Sequence, residues 1–538
     1  MITEGTYPYH FGGVSTWCHS LVRGLPHVDF FLMSLISDPR LDPLFALPPN
    51  IVRLLPVPLW GILDAQEAAG DFTLADLARK QRTTQAAIAE HLMPAFENFV
   101  VGLWSGQSEA ARLAVAVHDI HRFALEFDLD TALRSRLAWD CFVDVGAAHF
   151  PQAAARHGYP NATFQLADLT TGLQWIRHLL FPISRPLPRV DVVHAAMAGT
   201  CTLVAICAKL EHGAAFLLTE HGIFLREAYL AAASSTDGLF LKLLRLRFAR
   251  LITEMSYKVA DQISPCCDYN KRWELRLGAD PDRIRTLYYG VDSTEFKPAD
   301  GPPRERASVV VWVGRINPLK DLRTLVEAAN LVRAARPDVR FLLFGSAAAE
   351  DEGYHQEILA LRAQLGLEEV VVFRGYIAQP TAAYQEGDVV ALSSLSEAFP
   401  FSILEAMLCG KPVVATAVGG IAEQLEGCGI TVEPRSPSAM ARGILELLDD
   451  PQRCDALGRA ARAKAMGQYS IQAFCGTHYD TYARLSGKLE PAAAAPAAAA
   501  PVAAETDTSA SARRVDSPGR RAAAVPAVGV RRQPKPAT

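Results

Sequence analysis

The chain has 538 residues, half of them hydrophobic, and a formal net charge of −5. That length exceeds a single core and predicts two or more domains, while the acidic balance argues against a nucleic-acid-binding surface. Ten cysteines without metal-like spacing, including the adjacent pair Cys266-Cys267, fit the reduced, buried small side chains of a cytosolic protein.

Residues 2–13 read as a glycine-rich loop, with Gly12-Gly13 opening a helix over 14–25. No strand is predicted ahead of that loop, where a doubly wound sheet would place its first one. The expectation is therefore a start downstream of the true one, or a truncated chain. Residues 27–36 are apolar and strand-like, and 48–58 continue extended. Between 60 and about 188 helical spacing dominates, over 74–95, 110–127, 129–142 and 168–180, which predicts an inserted run of helices. Alternation resumes with strands at 191–195, 215–220 and 262–264 and helices at 199–211 and 239–260. The best candidate membrane span, 201–219, is interrupted by Lys209, Glu211 and His212 and parses as helix, turn and strand. No leader pattern of basic then apolar residues is predicted at the start.

The stretch 298–306, rich in Pro, Gly and charge, predicts an interdomain linker. Strands at 308–313, 339–345, 370–373, 389–393 and 413–416 alternate with helices beyond it. This repetition predicts a second parallel sheet covered on both faces, so that two Rossmann-like domains face a cleft. The predicted domains are 1–297, carrying the helical insertion at 60–188, then 298–470, a helix at 471–488, and a tail at 489–538. Alanine, proline and arginine pairs dominate that tail, a composition that predicts disorder.

Two groups of residues carry chemistry. Glu397 and Glu405, eight positions apart in Ser396-Glu397-Ala398-Phe399-Pro400-Phe401-Ser402-Ile403-Leu404-Glu405, sit on a loop after a buried strand and on the helix that follows. Carboxylates there accept from sugar hydroxyls, and a helix start favours an anion. The alternative for the pair is a solvated loop and a helix-dipole glutamate. Arg315 and Lys320 lie on the loop that follows the strand at 308–313, a clamp for a diphosphate when combined with the glutamates, and ordinary surface cations otherwise. His221 ends a strand before Gly222, a position that favours a site over a packed core histidine.

Val313-Gly314-Arg315 and Lys320-Asp321 together with Glu397 and Glu405 resemble the retaining nucleotide-sugar glycosyltransferases of family 4, which have the GT-B fold. Glu4-Gly5-Thr6-Tyr7-Pro8-Tyr9, Gly12-Gly13-Val14-Ser15 and Thr219-Glu220-His221-Gly222-Ile223 are similar to the Pel exopolysaccharide glycosyltransferases of that family, over roughly residues 1–487. The resemblance implies a retaining hexose transfer from a UDP-sugar, UDP-glucose by the Pel similarity, to a glycan acceptor. In its terms Arg315 and Lys320 neutralise the diphosphate, Glu397 holds the transferred sugar, and Glu405 holds the ribose. The amides of Phe399, Phe401 and Ser402 lie beside Glu397, Tyr376 neighbours the base, Gly12 and Gly13 approach the phosphate, and His221 lies beside the sugar. It also implies no cofactor and no metal, the helix at 471–488 crossing back to the first domain, and a cytoplasmic enzyme, peripheral at the inner membrane with membrane-associated Pel partners.

The chain departs from the family pattern at Tyr289-Gly290-Val291-Asp292, where many members have asparagine before the glycine. Two other readings stay open: a catalytically silent nucleotide-sugar-binding subunit of an export complex, and a GT-B nucleotide-sugar epimerase. An NAD-dependent dehydrogenase is disfavoured, because no Gly-x-Gly-x-x-Gly follows a predicted strand.

Overall fold

The computed structural model describes residues 1–59, 73–105, 110–299 and 308–488. Most of the predicted linker and the whole predicted tail lie outside them, as do the first residues of the insertion. The first sheet comprises β1 (Ile2–Glu4), β2 (Phe30–Ile36), β3 (Ile51–Pro58), β4 (Val192–Ala195), β5 (Ala215–Glu220) and β6 (Gln262–Pro265). The second comprises β7 (Val309–Val313), β8 (Arg340–Phe344), β9 (Val371–Gly375), β10 (Val389–Leu392), β11 (Val413–Thr416) and β12 (Ile430–Val432). Both are parallel throughout, with orders β3-β2-β1-β4-β5-β6 and β12-β11-β10-β7-β8-β9. Parallel strands need helical crossovers and buried faces, which explains the near-continuous apolar runs such as Val309-Val310-Val311-Trp312. Strand order reverses between β1 and β4 and between β7 and β10, and such switch points open a crevice at the C-terminal strand ends.

One expectation is overturned. A strand does precede the glycine-rich loop: β1 is three residues long and occupies the middle of the first sheet, between β2 and β4. Ile2, Thr3 and Glu4 pair with Met33, Ser34 and Leu35, and Ile2 also pairs with Ala195. Three residues are too few for periodicity to reveal, and the neighbours on both sides supply the ordering.

Helices fill the insertion as expected, with two breaks inside spans that read as continuous. The 74–95 span divides after the Leu74–Arg82 helix, because the Thr84 side chain accepts from the Ala87 amide and caps a new start. The 129–142 span divides into Leu129–Leu133 and Arg136–Arg156, the second capped by Ser135 accepting from the Ala138 amide. The short edge strand β12 and the helices Phe224–Ser234 and Asp268–Arg276 were not among the expected elements.

The Ile471–Leu485 helix packs on the Gly13–Gly24 helix. Its Phe474 and His478 rings lie 6.1 and 5.6 Å from that of Trp17, and the Tyr482 hydroxyl lies 2.7 Å from Nδ1 of His194. A continuous core runs from Trp17 and Leu217 of the first sheet's layers to Trp312 and Val390 of the second's. Among the described residues no helix is long and apolar enough to cross a membrane.

Candidate active site

The loops after β1, β7 and β10, all switch-point strands, carry most of the residues singled out by sequence. After β7, Asn317 caps a turn at Pro318–Lys320 by accepting from the Lys320 amide. Asp321 then takes a left-handed conformation (φ 44°) and caps the Leu322–Ala335 helix. This leaves Arg315 exposed, without an ion pair among the described residues, and turns Lys320 inward. The Lys320 ammonium donates to Glu397 Oε1 at 2.5 Å, and Ser394 Oγ donates to the same oxygen at 2.7 Å. Two hydrogen bonds to backbone carbonyls hold the loops together: the Ser393 hydroxyl donates to the Lys320 carbonyl and the Leu395 amide to the Leu319 carbonyl. The side chains of Lys320 and Glu397 are 19% and 12% exposed, so screening by water is limited.

Behind Glu397 the chain has no room for a side chain. Gly419 has φ +60°, and a Cβ there would sit 1.8 Å from the Glu397 carbonyl oxygen. The Phe401–Leu408 helix begins after Pro400, so Phe401 and Ser402 form its first turn, with Phe399 buried just ahead. Glu405, one turn further, accepts from the Tyr384 hydroxyl at 2.7 Å. Burial raises its pKa to about 7, with the Tyr384 bond opposing and Glu295 adding to the shift. Tyr376 follows Gly375 at the end of β9 and is 78% exposed, and among the described residues no hydrogen bond or ring contact ties it to the other site residues.

Several contacts join these loops to the elements of the first sheet. A Cβ at Gly13 would lie 3.7 Å from the Phe401 ring, so the start of the Gly13–Gly24 helix faces the start of the Phe401–Leu408 helix. Gly12 is the N-cap and no acidic side chain occupies the first turn, so the leading amides keep their positive end. Across the same crevice, Arg226 of the Phe224–Ser234 helix donates to Ser396 Oγ at 2.8 Å.

His221 lies at the end of β5, 9% exposed. Its Nδ1 is 2.8 Å from the Tyr289 hydroxyl, and its Nε2 is buried with no hydrogen-bond partner among the described residues. Tyr289 in turn stacks on Phe401 at 4.8 Å and 14°. The tyrosine that departs from the family pattern therefore bridges His221 and the Glu397–Glu405 segment. Burial, and then the nearby His478, lowers the His221 pKa to about 3, so the ring is neutral. Next to it, Glu220 is fully buried, accepts from Tyr257 and lies beside Glu274; desolvation raises both carboxyl pKa values. Sequence reasoning missed Tyr289, Arg226, Ser394 and Tyr384 as parts of the site. Each acts through a contact between distant segments, which linear spacing does not show.

Two parallel sheets whose switch-point ends bring amides, cations and hydroxyl-accepting carboxylates together define the GT-B fold. The chain belongs to the family described as a domain of unknown function (DUF3492), whose model matches residues 1–282, and the model for glycosyl transferases group 1 matches residues 307–450. It is similar to the D-inositol 3-phosphate glycosyltransferase of Kineococcus radiotolerans, 34% identical over 235 residues, 39% of this chain and 54% of that protein. Its counterpart from Segniliparus rotundus is 38% identical over 213 residues, 36% of this chain and 45% of that protein. The chain thus spans about half the length of the curated relatives it matches. Among solved structures, sucrose-phosphate synthase from Thermosynechococcus elongatus aligns with a TM-score of 0.56 and 16% identity, over 91% of this chain and 99% of that one. HepE from Anabaena in complex with UDP aligns with a TM-score of 0.54 and 16% identity, over 90% and 99%. At that identity these two likenesses speak for the fold alone.

Proposed function

We propose that this glycosyltransferase moves a hexose, with retention, from a UDP-sugar to a glycan acceptor in Pel-type exopolysaccharide synthesis, with UDP-glucose the first donor to test. The observation that carries the donor half is the Lys320–Glu397 pair, fixed at the ends of β7 and β10 opposite the Gly12–Gly13 helix start. HepE, of the same fold, was solved with UDP, which makes a uridine nucleotide the first ligand to test.

In this reading Arg315 and Lys320 neutralise the diphosphate, including the charge that grows on it as the glycosidic bond breaks. An ammonium has three N–H donors, so Lys320 serves Glu397 and a phosphate oxygen together. One such donor in a water-poor cleft is worth about 3 kcal/mol in the transition state. Glu397 and the amides of Phe399, Phe401 and Ser402 hold the sugar, Glu405 the ribose hydroxyls, Tyr376 the base, and Gly12 and Gly13 a phosphate oxygen. His221 presents Nε2 to a hydroxyl of the transferred sugar. Retention follows from front-face attack, with the departing phosphate oxygen taking the acceptor's proton. No metal is needed when Arg315 and Lys320 supply the positive charge. The place of action is the cytoplasmic face of the inner membrane, where donor and export machinery meet.

Calorimetric titration with UDP, ADP, GDP and UDP-glucose, without added metal, tests the donor, and release of UDP from UDP-glucose in the presence of acceptor tests transfer. Selective binding of uridine compounds, lost in Arg315→Ala, is the expected result. Binding without turnover would favour the silent-subunit reading, and no binding would overturn the donor site.

A further inference from the structure

A cavity of about 470 Å³ lies away from the Lys320–Glu397 junction, where the helical insertion meets the edge strand β3. Four arginines line it: Arg53 on β3, Arg79 on the Leu74–Arg82 helix, Arg177 near the end of the Leu166–Leu180 helix, and Arg185 beyond that helix. Three acids line it as well, and each is already engaged. Asp76 pairs with Arg79 and caps its own helix. Asp130 lies 3.1 Å from Arg177 and 2.8 Å from Arg134, and Asp128 accepts from the Thr131 amide.

That leaves Arg53 and Arg185 with no carboxylate in ion-pair distance among the described residues. Arg53 is exposed, its guanidinium 5.5 Å from the Phe31 ring. Arg185 is half-buried, 5.3 Å from the Phe181 ring, and burial lowers its pKa, with the charge of Asp76 opposing. Asp76 is already paired with Arg79, so its charge compensates Arg185 only in part; taking a guanidinium partly out of water outside any ion pair is unfavourable, and an apolar residue of similar length would pack there at less cost. A cation kept in that position is explained by an anion that arrives from solution. Its planar fork suits the oxygens of a phosphate. His178 and Ser184 add polar wall, while Phe127, Leu129 and Phe181 form an apolar side that suits a planar or apolar body attached to the anion.

We propose that this cavity binds a small organic phosphate, its dianionic head on Arg185 and Arg53 and its body against Phe127, Leu129 and Phe181. The inference is independent of the transferase reading, since it involves none of the residues at the strand-end crevice. The site lies on the insertion, so a ligand there reports to the first sheet through its edge strand β3.

The test is calorimetry on the full chain with phenyl phosphate, inorganic phosphate and phenol as probes. Phenyl phosphate should bind, inorganic phosphate should bind about tenfold more weakly, and phenol should not bind. Arg185→Gln should weaken phenyl phosphate by about tenfold or more, whereas Arg315→Ala, which alters the donor crevice, should leave it unchanged. Arg185→Met serves as the fold control. Without ligand it should melt at or above the wild-type temperature, because a half-buried charge outside any ion pair has been removed, and phenyl phosphate should no longer raise its melting temperature. Binding that survives Arg185→Gln and disappears in Arg315→Ala would place the anion in the donor crevice and overturn the proposal. Absence of binding at millimolar phenyl phosphate would overturn it too.

Discussion

Tyr289→Phe removes one oxygen from the bridge between His221 and Phe401 and leaves the ring. The hydroxyl lies 2.8 Å from Nδ1, and Tyr289 and His221 are 6% and 9% exposed. A neutral imidazole nitrogen is a much better acceptor than the other neighbour, the Cys266 thiol, so the hydroxyl donates to Nδ1 and Nε2 carries the ring proton. Losing the bond removes about 1 kcal/mol and leaves a buried acceptor unsatisfied, for a total near 2 kcal/mol of stability. The stack at 4.8 Å survives, so no cavity adds to that figure. With the tautomer no longer held, transfer should slow by about tenfold in kcat, while UDP affinity should hold within about twofold. A pKa of about 3 keeps the ring neutral, so the loss should not vary with pH across the neutral range. Initial rates, UDP calorimetry and nitrogen-15 NMR of the His221 ring measure the three quantities. An unchanged kcat together with unchanged ring-nitrogen shifts would refute the reasoning.

Lys320→Ala should abolish transfer and also cost about 3 kcal/mol, because among the described residues it leaves the Glu397 carboxylate with only Ser394 as partner; urea unfolding should show Lys320→Ala with Glu397→Ala losing less than the sum of the two. Glu405 has its pKa raised to about 7 in the unliganded protein, so the protonated form favours folding below that value and its contribution fades as pH rises from the unfolded carboxyl range through 7. A ribose hydroxyl needs the carboxylate as acceptor, so UDP affinity should rise by up to about tenfold between about pH 6 and pH 8, and Glu405→Gln should flatten that profile in calorimetry. Gly419→Ala drives a Cβ against the Glu397 carbonyl oxygen, backbone that cannot swing aside, and should cost at least about 3 kcal/mol while lowering UDP affinity; wild-type stability in that variant would contradict the packing described.

Much of the fold was legible because it repeats. Apolar runs such as Val309–Val313 and Val389–Leu392, each followed by a glycine or carboxylate loop and then helical spacing, announce parallel strands before any coordinate is known. The strand β1 escaped because three residues carry no period, and its order comes from β2 and β4. The breaks at Thr84 and Ser135 were written in the chain as capping residues, but apolar spacing continued across both and outweighed them. The same limit holds at the site. Glu397, Lys320 and Glu405 announce themselves by residue type and spacing, whereas the value of Tyr289 depends on His221, 68 positions earlier, and Phe401, well over a hundred positions later.

The helix at Ile471–Leu485 bears on the order in which the molecule is made. Its Phe474, His478 and Tyr482 complete the surroundings of Trp17 and His194, side chains that leave the ribosome several hundred residues earlier. Until that helix is synthesised, the Trp17 indole has the His194 and His221 rings beside it but lacks Phe474 and His478, and the His194 imidazole keeps Thr219 but lacks the Tyr482 hydroxyl. The nascent chain must therefore hold the first half incomplete while the second half emerges, a window in which chaperones and proteases compete for it. Residues 1–297 expressed alone would stay in that window permanently. Supplying the last helix as a separate peptide is the direct way to close it.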